Sequence, residues 1–400
     1  MSEVLWDARL FDPETGKATD RRVITIEGDT IISIGEVGGD PPERARDLGG
    51  ATVLPGLIDA HAHVQSDTSR SPGFGPPPVR HGDPPRPPGI AHYILAASAD
   101  RFLRSGFTTV RDVGGYDDEV MALRLAIDSR LVAGPRVYTC GRIISATGAG
   151  AEIFRSMYRE ADGPWEMRKA VREQLRRGAE FIKFMATGAR SVVLEDPEPP
   201  QMTLEEMRAI VDEAHRMGRR VAAHAEGLEG TRLALEAGAD TIEHGLSLHR
   251  EPKLLDGMAE HGTVLVPTLS TFHDLAERFV DDFAPVLVEQ AKRQLEEATR
   301  TVEAAKRAGV TFAVGYDSGP PGTSAHEMTR LMEAGLSAKE TVRAATMGGA
   351  AALGREDLGR IAVGSRADLV VVDGRPDADA RLLTKPEVIR LVIGRGVAFA

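Results

Sequence analysis

The chain has 400 residues, a formal net charge of −11 and 42% hydrophobic residues. That length exceeds one small domain and suits a barrel of roughly 250–300 residues carrying extra structure. The acidic balance argues against nucleic acid as a partner, because phosphate binding needs clustered Lys and Arg.

A single cysteine, Cys140, permits no disulfide within the chain, which fits a reducing compartment. The start, Met1-Ser-Glu-Val-Leu-Trp-Asp, lacks a basic patch and an apolar run, and no stretch of about 18 apolar residues exists to span a membrane. The expectation is a cytoplasmic protein acting on a small molecule, with no membrane partner.

In chain order, the first fifty residues read as short strands. Val23-Ile-Thr-Ile-Glu-Gly-Asp-Thr-Ile-Ile-Ser-Ile is β-branched on both sides of a Gly-Asp turn, a hairpin signal. Strand-like runs then alternate with helical stretches. The runs are Val53-Leu54, Thr108–Val110, Arg136–Tyr138, Phe181–Phe184, Arg220–Ala223, Thr241–Glu243, Val264–Val266 and Thr311–Val314. The helical stretches are 91–105, 117–132, 165–178, 203–217, 229–237, 251–261 and 285–309, with 325–334 and 337–348 after the last strand. Thr203 with Glu206 three residues on forms a capping box. The far end is strand-rich again: Ile361, Ala367-Asp-Leu-Val-Val-Val-Asp-Gly and Val388-Ile-Arg-Leu-Val-Ile.

The pattern predicts an α/β protein: a (β/α)8 TIM-type barrel over residues 56–359, with a small β-sandwich domain formed by both termini, residues 1–55 plus 360–400. A Pro/Gly-rich loop at 64–90, containing Ser-Pro-Gly-Phe-Gly-Pro-Pro-Pro and Pro-Pro-Arg-Pro-Pro-Gly, follows the first strand. It reads equally as a disordered insertion or as a lid over the site.

The strongest local signal is Pro55-Gly-Leu-Ile-Asp-Ala-His61-Ala-His63. In a strand, residues i and i+2 share a face, and at the carboxyl end of a barrel strand that face looks into the active-site mouth. Two imidazoles there make half of a metal site. Lys183 sits in the apolar run Glu180-Phe-Ile-Lys-Phe-Met-Ala. A bare ammonium is costly to bury, so it either snorkels at the rim or is carbamylated by CO2, which turns a cation into a carboxylate able to bridge two metals. His224, His244 and Asp317 each end a short apolar run. Six ligand-type residues thus fall at the ends of the first, fourth, fifth, sixth and eighth predicted strands. Of the charges near these ends, Arg232 and Arg142 are candidates to clamp a substrate carboxylate; the bland reading of each is a solvated charge.

At these residues the chain resembles the amidohydrolase superfamily, in its binuclear metal subtype and its imidazolonepropionase-like and Xaa-Pro dipeptidase-like branch. The resemblance runs through Val53-Leu-Pro-Gly-Leu-Ile-Asp-Ala-His-Ala-His, Gly106-Phe-Thr-Thr-Val-Arg-Asp-Val-Gly-Gly, Phe181-Ile-Lys, Ala222-Ala-His-Ala-Glu-Gly, Gly238-Ala-Asp-Thr-Ile-Glu-His-Gly and Gly359-Arg-Ile-Ala-Val-Gly-Ser-Arg-Ala-Asp-Leu-Val-Val-Val-Asp. It implies two divalent ions, zinc or a similar metal. His61, His63 and Asp317 would hold the buried ion and His224 and His244 the outer one, with a carbamate on Lys183 and a hydroxide bridging them. Asp317 would shuttle the proton to the leaving nitrogen. The resemblance also implies a homo-oligomer.

Two departures bear on substrate. Many relatives carry Gly-Gly-His-Gly after the third strand, where this chain has Thr147-Gly-Ala-Gly-Ala-Glu, and the proline-rich segment is unlike most of them. The competing readings are a mononuclear deaminase or imidazolone-ring hydrolase of the same superfamily, towards which Glu226 leans, and a barrel that binds a ligand without catalysis.

Overall fold

The computed structural model describes residues 2–65, 89–189, 192, 194–278, 280–281, 284–317 and 319–399. Most of the loop expected at 64–90 lies outside the described residues.

The N-terminal strands are β1 (Ser2–Asp12), β2 (Lys17–Glu27), β3 (Thr30–Glu36), β4 (Arg46–Asp47) and β5 (Thr52–Pro55). The parallel strands follow: β6 (Leu57–Ala62), β7 (Phe107–Asp112), β8 (Arg136–Thr139), β9 (Ile143–Ser145), β10 (Tyr158–Glu160), β11 (Ile182–Met185), β12 (Val221–Ala225), β13 (Thr241–His244), β14 (Val264–Val266) and β15 (Thr311–Phe312). The chain closes with β16 (Leu369–Val372), β17 (Ile389–Gly394) and β18 (Val397–Phe399).

Both termini join one hydrogen-bonded sheet in the order β18-β17-β16-β5-β1-β2-β3, with β4 on β1. Its period-2 alternation serves two cores. Val53, Leu369 and Val371 pack with Leu5, Ile24 and Ile393 in a terminal cluster, whereas Leu54, Val370 and Val372 join the main core. The hairpin read at 23–34 is β2 and β3, paired antiparallel with Glu27 opposite Thr30.

Val53-Leu54, expected to be the first barrel strand, belongs instead to this terminal sheet, where β5 pairs antiparallel with β16. The strand that pairs with β7 begins after Gly56, at Leu57. The break has a steric cause. A Cβ on residue 56 would sit 2.0 Å from Thr108 Oγ1, so only glycine lets the chain pass from one sheet to the other here.

The remaining strands form parallel sheets, β6-β7-β8 and β10-β9-β11-β12-β13-β14-β15. Backbone bonds tie them on both sides. Glu180 N donates to Thr139 O at 3.0 Å, Ala60 N to Val314 O at 2.7 Å, and Asp317 N to His61 O at 2.7 Å. The third strand of the alternation is split: β8 pairs with β7, β9 pairs with β11, and Cys140-Gly141-Arg142 lies between. An excursion unforeseen in the sequence follows: a six-residue helix Ala149–Phe154, a short turn of helix Arg155–Met157 and β10.

The long helices fall where the apolar spacing places them. Helix Pro164–Arg177 buries Met167, Ala170, Val171 and Gln174, the i, i+3, i+4, i+7 stripe of one face. Helix Leu204–Arg216 starts in the expected capping box: Glu206 N donates to Thr203 Oγ1 at 3.3 Å and Thr203 N to Glu206 Oε2 at 2.8 Å. Among the described residues no helix is long and apolar enough to cross a membrane.

Candidate metal centre

Strands β6, β11, β12 and β13 and the turn after β15 bring His61, His63, Lys183, His224, His244 and Asp317 to one cavity of about 40 Å3 that opens to solvent. All six are buried. Four imidazoles stand in a row, with ring centroids 5.8 Å apart for His63 and His61, 5.0 Å for His61 and His244, and 4.6 Å for His244 and His224. Asp317 Oδ1 faces the first two, 3.6 Å from His61 Nε2 and 3.4 Å from His63 Nε2. Ligand atoms of His61, His244 and Asp317 all lie within 4.8 Å of one another.

The partners of the ring nitrogens fix which atom is left for an electrophile. His61 Nδ1 donates to Glu243 Oε2 at 2.7 Å and His63 Nδ1 to Gly114 O at 2.8 Å. A carboxylate and a carbonyl only accept, so each Nε2 keeps its lone pair. His244 Nδ1 pairs with Thr268 Oγ1 at 2.6 Å. His224 differs: its Nε2 donates to Gly188 O at 3.1 Å and stands 3.4 Å from Glu226 Oε1, which leaves Nδ1 as its free atom.

Three residues at the site carry backbone strain. His244 (φ 71°), Thr268 (φ 51°) and Asp317 (φ 69°) occupy the left-handed region, which costs a side-chain-bearing residue about 1–3 kcal/mol and persists where the surroundings over-determine it. At Asp317 the surroundings include Gly315, where a Cβ would sit 2.5 Å from His61 Cβ. Glycine therefore lets the turn after β15 approach β6 and delivers the carboxylate beside both histidines.

Burial sets the charges. It pulls the Lys183 ammonium down to about 8, with Arg111 adding to the effect and Glu243 and Asp317 opposing it. It pulls His61 down to about 4, with the Lys183 charge acting in the same sense. At His63 burial acts in the same sense, but Asp317 and Asp112 outweigh it and raise the ring, so an ion there would take the place of its proton. Imidazole, a carboxylate and an amine that sheds its proton near neutrality form a donor set suited to zinc and similar ions. The residues therefore fit the divalent metals implied by the sequence, and an uncharged Lys183 is the form that takes up CO2.

Beneath these donors lies a network to which the sequence reading gave no role. Arg111, fully buried in β7, donates from Nη2 to Glu243 Oε1 at 2.6 Å, from Nη1 to Thr241 Oγ1 at 3.2 Å and from Nε to Ala60 O at 2.5 Å. Its guanidinium carbon stands 5.3 Å from the centre of the Phe181 ring. Burial alone would raise the Glu243 carboxyl, but the Arg111 and Lys183 charges hold it well below the usual carboxylate range. Glu243 so stays an anion and holds the His61 tautomer. On the other flank, Asp59 Oδ1 accepts His61 N at 3.0 Å and Asp59 Oδ2 accepts Ser324 Oγ at 2.5 Å. The signal for this network was a charge inside an apolar strand run, at Arg111 and again at Glu243.

Arg232 and Arg142 lie elsewhere. Arg232 is on the outer helix Leu228–Ala237, paired with Glu229 at 2.6 Å and Glu236 at 3.0 Å. Arg142 pairs with Asp117 at 2.7 Å. Neither lines the cavity, whose remaining walls are Ile143, Phe154, Met157, Tyr158, Met185 and Ala189.

Residues 52–398 match the model of the amidohydrolase family. The chain belongs to this family. It is 28% identical to the ochratoxinase of Aspergillus niger over 98% of this chain and 85% of that protein. It is also 28% identical to the imidazolonepropionase of Salinispora arenicola, over 99% and 97% of the two chains. A solved Xaa-Pro dipeptidase with methionine bound in its active site superimposes with a TM-score of 0.87 at 31% identity, covering all of both chains. The chain is thus a hydrolytic enzyme acting on amide bonds, in the imidazolonepropionase-like and Xaa-Pro dipeptidase-like branch of the superfamily, and its fold is the TIM-type α/β architecture of these neighbours.

Proposed function

We propose that this amidohydrolase is a binuclear metal enzyme that cleaves the C–N bond of a small amide, such as a dipeptide or an N-acyl amino acid. The observation that carries the reading is the meeting of all six donor-type residues, buried Lys183 included, in one cavity. The named activities of the relatives, dipeptide and ochratoxin cleavage among them, lie in the same class of bond. The reading carries with it a closed (β/α)8 barrel and a two-layered terminal β unit.

His61, His63 and Asp317 would hold one ion, His224 and His244 the second, and a carbamate on Lys183 would join them. Such ions supply Lewis acidity towards the carbonyl and a water acidic enough to attack at neutral pH. The chain does the rest. Glu243 and Gly114 hold His61 and His63 with Nε2 outward. Asp317, on its strained turn, accepts the proton of the attacking water and returns it to the leaving nitrogen, which departs poorly until protonated.

A second reading has its own support. His224 turns Nε2 towards Gly188 and Glu226, and only His61, His244 and Asp317 converge as a three-donor group among the described residues. That favours a mononuclear deaminase or ring hydrolase. Elemental analysis and intact mass after preparation with zinc and bicarbonate separate the two. Two metal equivalents and a 44 Da addition at Lys183, roughly the mass of CO2, support the binuclear enzyme. One equivalent with an unmodified lysine sinks it.

A further inference from the structure

One wall of the cavity is a small apolar cluster separate from the main core: Ile143, Phe154, Met157, Tyr158, Met185 and Ala189 with Val192. It is built by the excursion through the split third strand, and it abuts the donors directly, because Met185 is the Cα partner of His224 across β11 and β12. Among the described lining residues, Tyr158 alone carries a hydroxyl.

That hydroxyl is buried, and it donates to Met185 Sδ at 3.7 Å. A thioether is a weak acceptor, so the bond is readily exchanged for one to a carbonyl oxygen. The ring is held more firmly than its O–H, lying against Phe154 with centroids 5.4 Å apart. Burial, reinforced by the charges of Glu195, Asp317 and Glu226, pushes the phenol well above its usual range, so it keeps its proton at any working pH. A neutral, fixed donor in an apolar wall beside the hydrolytic donors is suited to one task, stabilising negative charge that develops on oxygen.

We propose that the Tyr158 hydroxyl donates a hydrogen bond to the scissile carbonyl oxygen and holds it through the tetrahedral state. No proton is transferred: the O–H stays intact, the carbonyl gains charge as water adds, and the bond shortens onto that charge. The proposal rests on the amide-hydrolase reading above, and its test keeps the two apart.

The test uses the metal-loaded full chain and Tyr158→Phe, which retains the ring and removes the donor. Steady-state kinetics are measured on N-acyl amino acids and dipeptides. Affinity for a methylphosphonyl amino acid, a tetrahedral mimic, is measured by calorimetry, with metal content and Tm taken on the same preparations. Loss of one such donor typically lowers kcat by about 10²–10³-fold. The expected result is a loss of that order in kcat, KM within about threefold, and phosphonate affinity falling in parallel at unchanged metal content and Tm. Retention of kcat within about threefold, a loss confined to KM, or unchanged phosphonate affinity overturns the proposal. If the wild type cleaves no amide, the hydrolase reading falls and the proposal with it; if it cleaves amides and Tyr158→Phe cleaves them as fast, the proposal falls alone.

Discussion

Replacing Arg111 by Met tests whether the buried network under the metal centre does what its geometry requires. The side chain is fully buried and makes three hydrogen bonds, one of them to a carboxylate that is itself completely enclosed. Met fills much of the same space but leaves Glu243 without its cation. Removing one partner of a buried ion pair costs about 3–5 kcal/mol, because the other charge stays behind uncompensated. At roughly 2 °C per kcal/mol for a large chain, Tm should fall by about 6–10 °C. A second consequence follows from the hydrogen bond to His61. Glu243 escapes its predicament by taking up a proton, and a protonated Glu243 can donate to His61 Nδ1. That would move the imidazole proton to Nε2, the atom facing Asp317, and remove the lone pair a metal needs. Loss of such a supporting contact typically weakens metal binding 10–100-fold. Calorimetry and competition against a chelator measure the two effects. Adding Glu243→Gln to Arg111→Met should restore part of the lost stability, since no charge then remains to be compensated. Unchanged Tm and unchanged metal affinity in Arg111→Met would refute the whole account.

Asp317→Asn should lower kcat by at least about 10²–10⁴-fold, the usual worth of general acid–base assistance, while the fold survives; a variant that keeps its kcat but melts earlier would make Asp317 a structural cap. Metal removal with a chelator should lower Tm, because an ion present at 1,000 times its Kd stabilises the folded state by about 4 kcal/mol, and zinc should restore it. Glu213, held down to about 2 by its hydrogen bond to Arg172 and by Arg216, joins the helices Pro164–Arg177 and Leu204–Arg216. Its folded value lies below the ordinary one near 4.5, so its contribution is present above pH 4.5 and fades as pH falls towards 2. Glu213→Gln should therefore melt earlier than the wild type at pH 7, with the gap closing over that acid window; a gap independent of pH would assign the effect to packing.

The histidines were legible because His61, His224 and His244 lie in the last two residues of their strands and His63 just beyond, where a period of two and a following loop decide which way a side chain points. His61 and His63 are visible as an i, i+2 pair, and Lys183 as a charge in an apolar run. Three things were not legible. Val53-Leu54 looks like a barrel strand because apolar β-branched pairs read alike in any buried sheet, and the Thr108 contact that forces a glycine at 56 is formed only in the fold. Strands β9 and β10, three residues each, are too short for periodicity to register, and with them went the wall that carries Tyr158. Arg111 and Glu243 are each a charge in an apolar strand, a signal to which the sequence reading gave no role. Their pairing spans 132 residues of sequence, a separation that no local pattern encodes. Arg232 was singled out by its place after the fifth strand, but its spacing from Glu229 and Glu236 at i−3 and i+4 satisfies it on its own helix.

The same residues that order the site also carry its cost, and this constrains how the protein tolerates change. His244, Thr268 and Asp317 hold strained backbone, and Glu243 holds a buried charge. None of these is stable alone. Each is held by contacts made late along the chain: Asp317 by the bond from its N–H to His61 O, His244 by Thr268, and Glu243 by Arg111 from the opposite strand. The turn after β15 meets β6 through the bonds Ala60 N to Val314 O and Asp317 N to His61 O, and these same bonds place Asp317 beside His61 and His63. Substitutions that loosen this seam, Gly315→Ala foremost, should lose metal affinity and folding stability together rather than one without the other.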